Sequence, residues 1–387
     1  MSKSLVLKIF RLSNIKIYEE YPYNYDIRVI DDTFYSDLLN YKTLGLGEAY
    51  MSGKFMTPNL EMLLVKLQKI NTLNILKLLQ FTDYLYLIKY CIFKFLIFCS
   101  WYFINLQSII KSKMVAEEHY DLPPILYQKM LDSTMLYSCG YWNNVNTLDE
   151  AQKQKAELII QKLKIDDNDQ ILEIGSGWGF IAYAIATIYP KSNVLGISIS
   201  AEQIAYCTEK YNLPNLKFEL RDYRELQKNS YDKIYSVGMF EHVGYKNYQD
   251  FFNVTYSLLK NNGIMLLHTI TKHQEEKVND PWFDKYIFPN GYLPSMGQVI
   301  KVVEKTQFNL VDLQEFGDYY TLTLEAWLQN FEKNFDILQE KNAGIFTKRF
   351  QRMWEFYLVM SKVGFISKHL HLSQFVFTKN YQGVYIR

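Results

Sequence analysis

Apolar and polar positions divide the chain into two stretches of different character. From about residue 148 onward, short apolar runs alternate with longer segments of helical period. The runs predict strands at Gln170–Ile174, Asn193–Ile197, Leu216–Leu220, Asp232–Ser236 and Ile264–His268. Helical patterns separate them, such as Leu148–Leu163 and Trp178–Ile188. Two later runs, near Leu310–Phe316 and Gln374–Lys379, bring the expected sheet to seven strands. This alternation predicts an α/β fold, a doubly wound and mostly parallel sheet of Rossmann-like type with helices on both faces.

The earlier stretch has no such alternation. An apolar-rich helical pattern runs from about Asn59 to Leu79, so a smaller, mainly helical domain is expected ahead of the sheet. Tyr84–Ile110 is 27 residues long, and Lys89 and Lys94 are its only charges. Length alone allows a single membrane span. Two internal lysines make a span costly. On a helical wheel they fall near one another, which suits a helix lying on a bilayer with its lysines towards the phosphates. A helix buried against the rest of the protein is the third reading, and the pattern does not choose among the three. Polar residues 111–118 read as a linker, giving expected domains at 1–115, lipid-facing, and 116–387, catalytic.

Length and composition agree with two domains: the chain has 387 residues, 49% of them hydrophobic. The formal net charge of +1 excludes a partner held by bulk charge, nucleic acid above all. The 32 Tyr and 25 Phe suit a protein that handles apolar matter, although an aromatic core accounts for them equally. Cys91, Cys99, Cys139 and Cys207 form no CxxC pair and no zinc-like spacing, so no metal is expected and a reduced, cytoplasmic chain is. The N-terminus lacks the sustained apolar run and cleavage site of a signal peptide.

The chemistry concentrates at strand ends. Gln170–Ile174 leads into Gly175-Ser176-Gly177-Trp178-Gly179 and then a helix. Glycines let a backbone approach a ligand closely, and the helix start offers free N–H groups. No acidic residue ends the second strand; Ser198, Ser200 and Gln203 stand there instead. Glu173 with the three glycines resembles the first motif of class I S-adenosylmethionine methyltransferases. Asp222-Tyr223 follows the third strand, where a carboxylate accepts an adenine amino group and a ring stacks on the base. Glu241 and His268 follow the fourth and fifth strands, so both are expected at the sheet's carboxyl edge beside the glycine loop. A buried Glu–His pair is a usual acid–base centre. Singly, Cys139 reads as a small buried hydrophobe and His268 as a core histidine.

Several stretches together resemble the cyclopropane-fatty-acid synthase family, which includes the mycolic acid cyclopropane synthases. They are Leu44–Met51 with Gly53, Asp132–Met135 into Tyr137-Ser138-Cys139-Gly140-Tyr141-Trp142, and Met239–Gly244 with Asn247-Tyr248. Leu267-His268-Thr269-Ile270, Asp280–Gly291, and Arg352-Met353-Trp354 with Tyr357-Leu358 complete the set. The resemblance implies transfer of a methylene from S-adenosylmethionine across the cis double bond of an unsaturated phospholipid in a bilayer, with peripheral membrane contact. It implies a carbocation deprotonated by bound bicarbonate, cradled by Cys139, Glu241, His268, the backbone at Ile270, and Tyr320. It implies a cofactor site of Tyr137, Ser138, Glu173, Gly175, Gly177, Gly179, Ser198, Gln203, Asp222 and Tyr223. A homodimer is compatible with it.

Three positions depart from the family pattern. Leu122-Pro123-Pro124 stands where Gly-Asn is usual, Ser176 replaces a common cysteine, and Thr271-Lys272-His273 follows Ile270 where glycine is frequent. Methyl transfer without ring closure, to a fatty acyl chain or a sphingolipid, and N-methylation of small amines are the alternative activities.

Overall fold

A computed structural model describes residues 2–19, 26–70, 122–276 and 279–387, with isolated positions between 84 and 96. Contacts divide the chain into two compact units. The first takes its described residues from Met1–Asn105, Lys277–Pro289 and Phe331–Ser367; the second takes its own from Leu106–Glu276, Asn290–Asn330 and Lys368–Arg387. The boundary read at 115/116 lies outside the described residues. Two later segments of the expected catalytic span, Lys277–Pro289 and Phe331–Ser367, count with the first unit.

The second unit holds the sheet. Its strands are β1 Gln170–Ile174, β2 Asn193–Ser198, β3 Leu216–Leu220, β4 Tyr231–Val237, β5 Leu259–Lys272, β6 Asn309–Glu315 and β7 Leu370–Thr378. They lie in the order 3-2-1-4-5-7-6. The pairs from β3 to β5 are parallel, and β7 runs antiparallel to both β5 and β6. The order reverses between β1 and β4, the switch point where open α/β sheets bind ligands at their carboxyl ends. β1 explains its own placement: Ile171, Leu172 and Ile174 are almost wholly buried, as a strand covered on both faces requires.

The helix Leu148–Leu163 begins with a capping box, in which Thr147 and Glu150 satisfy each other's backbone N–H groups. Its Ile159 and Leu163 belong to the same buried apolar cluster as Ile171, Ile181, Ile185 and Val376. Thr147→Ala is expected to cost about 1 kcal/mol in a denaturant titration. An unchanged midpoint would show that tertiary packing alone sets this helix start.

The first unit is mainly helical, with Ser2–Leu12, Thr33–Tyr41, Thr43–Met51, Leu60–Gln68, Pro281–Tyr286 and Lys348–Ile366. Trp282, wholly buried, packs its ring edge-on against Phe356 at 4.6 Å. Lys66 pairs with Asp26 at 2.7 Å and Lys362 with Glu61 at 2.6 Å. The helix expected over Asn59–Leu79 starts on Asn59 as N-cap and is described to Gln68; residues 71–79 lie outside the described residues. So does most of Tyr84–Ile110, although Tyr84, Ile88, Ile92, Phe95 and Leu96 are described as helical and exposed. No helix among the described residues is long and apolar enough to cross a membrane.

Candidate active site

The glycine loop joins β1 to the helix Phe180–Ile188, whose N-cap is Gly179. Gly175, Gly177 and Gly179 all have positive φ, at 83°, 52° and 81°. The helix therefore starts at Phe180, two residues later than the apolar pattern suggested, because Trp178 and Gly179 belong to the turn. Amides of Gly175 and Ser176 both donate to the carbonyl of Ile197 at 2.9 Å, tying the loop to β2. A Cβ on Gly177 would meet nothing within 4 Å, so this face of the loop is open.

Beside the loop, Tyr137, Ser200 and Gln203 line a small open recess together with Tyr127, Trp178 and Glu202. The last three are not legible as site residues from the sequence. Ser198 Oγ donates to Gln203 Oε1 at 2.9 Å and accepts from the amide of Ser200 at 3.1 Å, which fixes the end of β2. Asp222 follows β3 as expected, but both its carboxylate oxygens already accept from the Arg224 guanidinium, at 2.8 and 2.6 Å. A carboxylate has further lone pairs, so an added donor still fits. Tyr223 is buried edge-on to Phe251. Glu173 is buried within β1 and its carboxyl is pushed up to about 8 by burial.

At the adjacent strand ends a second group assembles. The short helix Phe240–His242 follows β4 and carries Glu241. Ile270 N–H donates to Glu241 Oε1 at 2.7 Å. The Glu241 carbonyl accepts from Tyr292 N–H at 2.8 Å. Burial pushes the Glu241 carboxyl up to about 7, against the pull of the Ile270 N–H. His268 lies on β5 directly across from Gln374 of β7. Gln374 Nε2 lies 3.3 Å from His268 Nδ1. With Gln374 as donor there, the ring proton sits on Nε2. Burial, joined by the charges of Lys155 and Lys162, holds His268 well below the usual histidine range, so the ring is neutral. Glu241 Oε2 and His268 Nε2 are both buried and have no hydrogen-bond partner among the described residues.

Cys139 is wholly buried, and burial pushes its thiol up to about 12, so it stays protonated. Thr323 organises this corner. Its hydroxyl lies 3.8 Å from Cys139 Sγ and accepts from Gly140 N–H at 3.1 Å and Trp142 Nε1 at 2.9 Å. Tyr320 sits one turn earlier on the same helix, Asp318–Lys341, and is buried against Trp327, which in turn meets Tyr137. Tyr319 instead packs on Tyr141 and Phe316. Among the departures, Pro124 starts the helix Pro124–Met130, a position where its missing N–H costs nothing.

The chain matches the profile of the family described as Mycolic acid cyclopropane synthetase over residues 107–375. It belongs to that family. It is 38% identical over 358 residues to the cyclopropane-fatty-acyl-phospholipid synthase of Escherichia coli K12, covering 92% of this chain and 89% of that one. The solved cyclopropane synthase MmaA2 of Mycobacterium tuberculosis superposes with a TM-score of 0.64 at 26% identity, covering 69% of this chain and 98% of that one. The mycolic acid cyclopropane synthase CmaA1, solved with SAH and CTAB, superposes with a TM-score of 0.62 at 27% identity, covering 69% and 98%. This synthetase-family chain is thus an S-adenosylmethionine-dependent methyltransferase that builds cyclopropane rings in lipid. The fold expected from the sequence is the fold observed.

Proposed function

We propose that the lipid is an unsaturated phospholipid acyl chain, and that the Glu241–His268 corner deprotonates the intermediate through bound bicarbonate. The observation that carries the proposal is the pair of buried unpartnered atoms, Glu241 Oε2 on the short helix after β4 and His268 Nε2 within neighbouring β5. Such atoms are rare in native interiors and fit a small polar group between them. His268 Nε2–H donates to an anion oxygen, and Glu241 Oε2 accepts from its hydroxyl. Neutral Cys139 and Tyr320 add weak and ordinary donors.

The open face at Gly177 and the recess along Tyr137 and Gln203 suit the cofactor. When bound, S-adenosylmethionine supplies an electrophilic methyl on a sulfonium. Methylene transfer forms one bond to each former alkene carbon and releases one proton. In this reading Glu241 Oε2 takes up that proton by way of the bicarbonate. On the same reading, aromatic rings such as Phe316, 5.6 Å from the His268 ring, help keep out water, which otherwise traps a cation.

Exposed Tyr84, Ile88, Ile92, Phe95 and Leu96 recur at helical spacing and support peripheral contact of the first unit with a bilayer. Labelled S-adenosylmethionine with vesicles of monounsaturated phospholipid tests the reading. The lipid should gain one carbon and lose its olefinic signal. A methyl-branched product, or label found only on a soluble amine, overturns ring closure.

A further inference from the structure

One charged side chain has no part in the roles above. Lys155, midway along the helix Leu148–Leu163, is wholly buried. One turn earlier Gln152, equally buried, donates Nε2 to the carbonyls of Leu136 at 3.2 Å and Ser138 at 2.8 Å. Lys155 Nζ donates to Ser138 Oγ at 2.5 Å. The segment that carries Cys139 therefore hangs from two neighbouring side chains of one helix face.

An ammonium has three donors, yet among the described residues this one makes a single hydrogen bond and no ion pair. The carboxyls of Asp132 and Glu173 act on it through the field, but neither is within ion-pair distance, and the Asp132 oxygens accept from Thr134 and Leu136. Burying an ammonium with no carboxylate in direct ion-pair contact costs several kcal/mol, and a Met or Leu fills similar space without that cost. Lys155 therefore needs an explanation beyond packing.

The acid–base corner has the complementary need. Its donors, the Cys139 thiol and His268 Nε2–H, are neutral, and Glu241 adds negative charge when ionised. An anion buried there requires a nearby cation. The field of Lys155 reaches both Cys139 and His268. Lys162, the other lysine that acts on His268, is already paired with Asp312 at 3.1 Å.

We infer that Lys155 supplies the buried positive charge that lets the Cys139–Glu241–His268 corner hold an anion, with Ser138 as its tether. The inference rests on the bicarbonate reading above. Lys155 acts through the field and through Ser138, so it is a positioning residue.

The test uses the full chain with Lys155→Met and Lys155→Gln. On the complex with S-adenosylhomocysteine, wild type should broaden the carbon-13 signal of bicarbonate and both variants should not. In turnover, the apparent KM for bicarbonate should rise about thirtyfold or more, as loss of a buried charge implies. The KM for S-adenosylmethionine should move less than about threefold, and excess bicarbonate should restore part of kcat. Lys155→Met should not melt earlier than wild type. If Lys155→Gln alone restores the bicarbonate KM, the tether and not the charge matters, and the inference fails. Failure of both variants to fold also overturns it, because a ligand's counter-charge is not needed by the ligand-free fold. If wild-type turnover ignores bicarbonate depletion, the anion reading itself is wrong. If wild type depends on bicarbonate and the variants match it, only the role of Lys155 is lost.

Discussion

Glu241→Gln is expected to lower kcat by about a thousandfold, the middle of the range for a positioned general base. Glutamine keeps the shape and retains an oxygen for the Ile270 N–H, the 2.7 Å bond that orients this side chain. It loses the one property the proposal uses, a carboxylate oxygen that takes a proton. Glu241 lies on the segment after β4, and the glycine loop follows β1, so affinity for S-adenosylhomocysteine should stay within about threefold. With the carboxyl near 7, wild-type kcat should rise as pH passes through that value. In the variant that limb should vanish. Full turnover by the variant in the vesicle assay removes Glu241 from the mechanism.

The same carboxyl makes a prediction about stability. Its folded value is raised above the ordinary 4.5, so the folded protein binds this proton more tightly than the unfolded chain. That contribution is fully present below about 4.5 and is lost as pH rises through about 7. A shift of this size corresponds to about 3 kcal/mol. Glu241→Gln lacks the loss, so it should outlast wild type at pH 8 and match it near pH 4. A buried acid that destabilises the folded enzyme at its working pH is expected where function holds the position.

Much of the fold was legible because burial on both faces of a parallel sheet writes itself as short apolar runs. β1 matches its expected limits, Gln170–Ile174. β5 does not: Ile264–His268 is only the centre of Leu259–Lys272. Its outer residues are held by pairing rather than by apolar pattern. Thr269–Lys272 ladder with Leu370–Ser373 of β7, and Leu259 reaches Tyr231 across a register shift in β4. A period of two carries no mark for polar residues held by backbone bonds.

The site divides the same way. Motifs after the fourth and fifth runs placed Glu241 and His268 on neighbouring segments, because topology alone decides that, although His268 lies within β5 and not after it. Their partners were not legible. Gln374 lies 106 positions from His268 and meets it only through antiparallel pairing. Thr323 is one hydroxyl among several in its helix, distinguished by where the Cys139 segment passes. Lys155 belongs to none of the sequence motifs, and only its burial singles it out. Arg224, beside the expected adenine contact, proves to be bound to Asp222 by three hydrogen bonds, two from its guanidinium and one from its backbone N–H.

Gly175→Ala should have the second large effect, on cofactor binding and folding together. The residue sits at φ 83°, and a Cβ there would lie 2.6 Å from Met239 Cβ and 2.7 Å from its Cγ. The backbone cannot retreat, since Gly175 N–H is bonded to Ile197 of β2. Met239 directly precedes Phe240-Glu241, so displacing it also moves the acid. Backbone strain and overpacking together should cost about 2–4 kcal/mol, and affinity for S-adenosylhomocysteine should fall by about a hundredfold or more. Gly177→Ala is the control two residues away. At φ 52° it carries only the left-handed penalty of about 1–2 kcal/mol. Nothing protein-borne lies within 4 Å of the new methyl, so the fold should absorb it. A ligand lying on the open loop does not, and affinity should drop by about tenfold for a loss of stability no larger than the strain. Calorimetric titration beside thermal melting separates the two variants. Undiminished binding by both would mean that the loop does not hold the cofactor, whatever the melts show. A fall in affinity for Gly177→Ala without a matching fall in melting temperature locates the ligand against the open face, because no packing in the protein itself distinguishes that methyl.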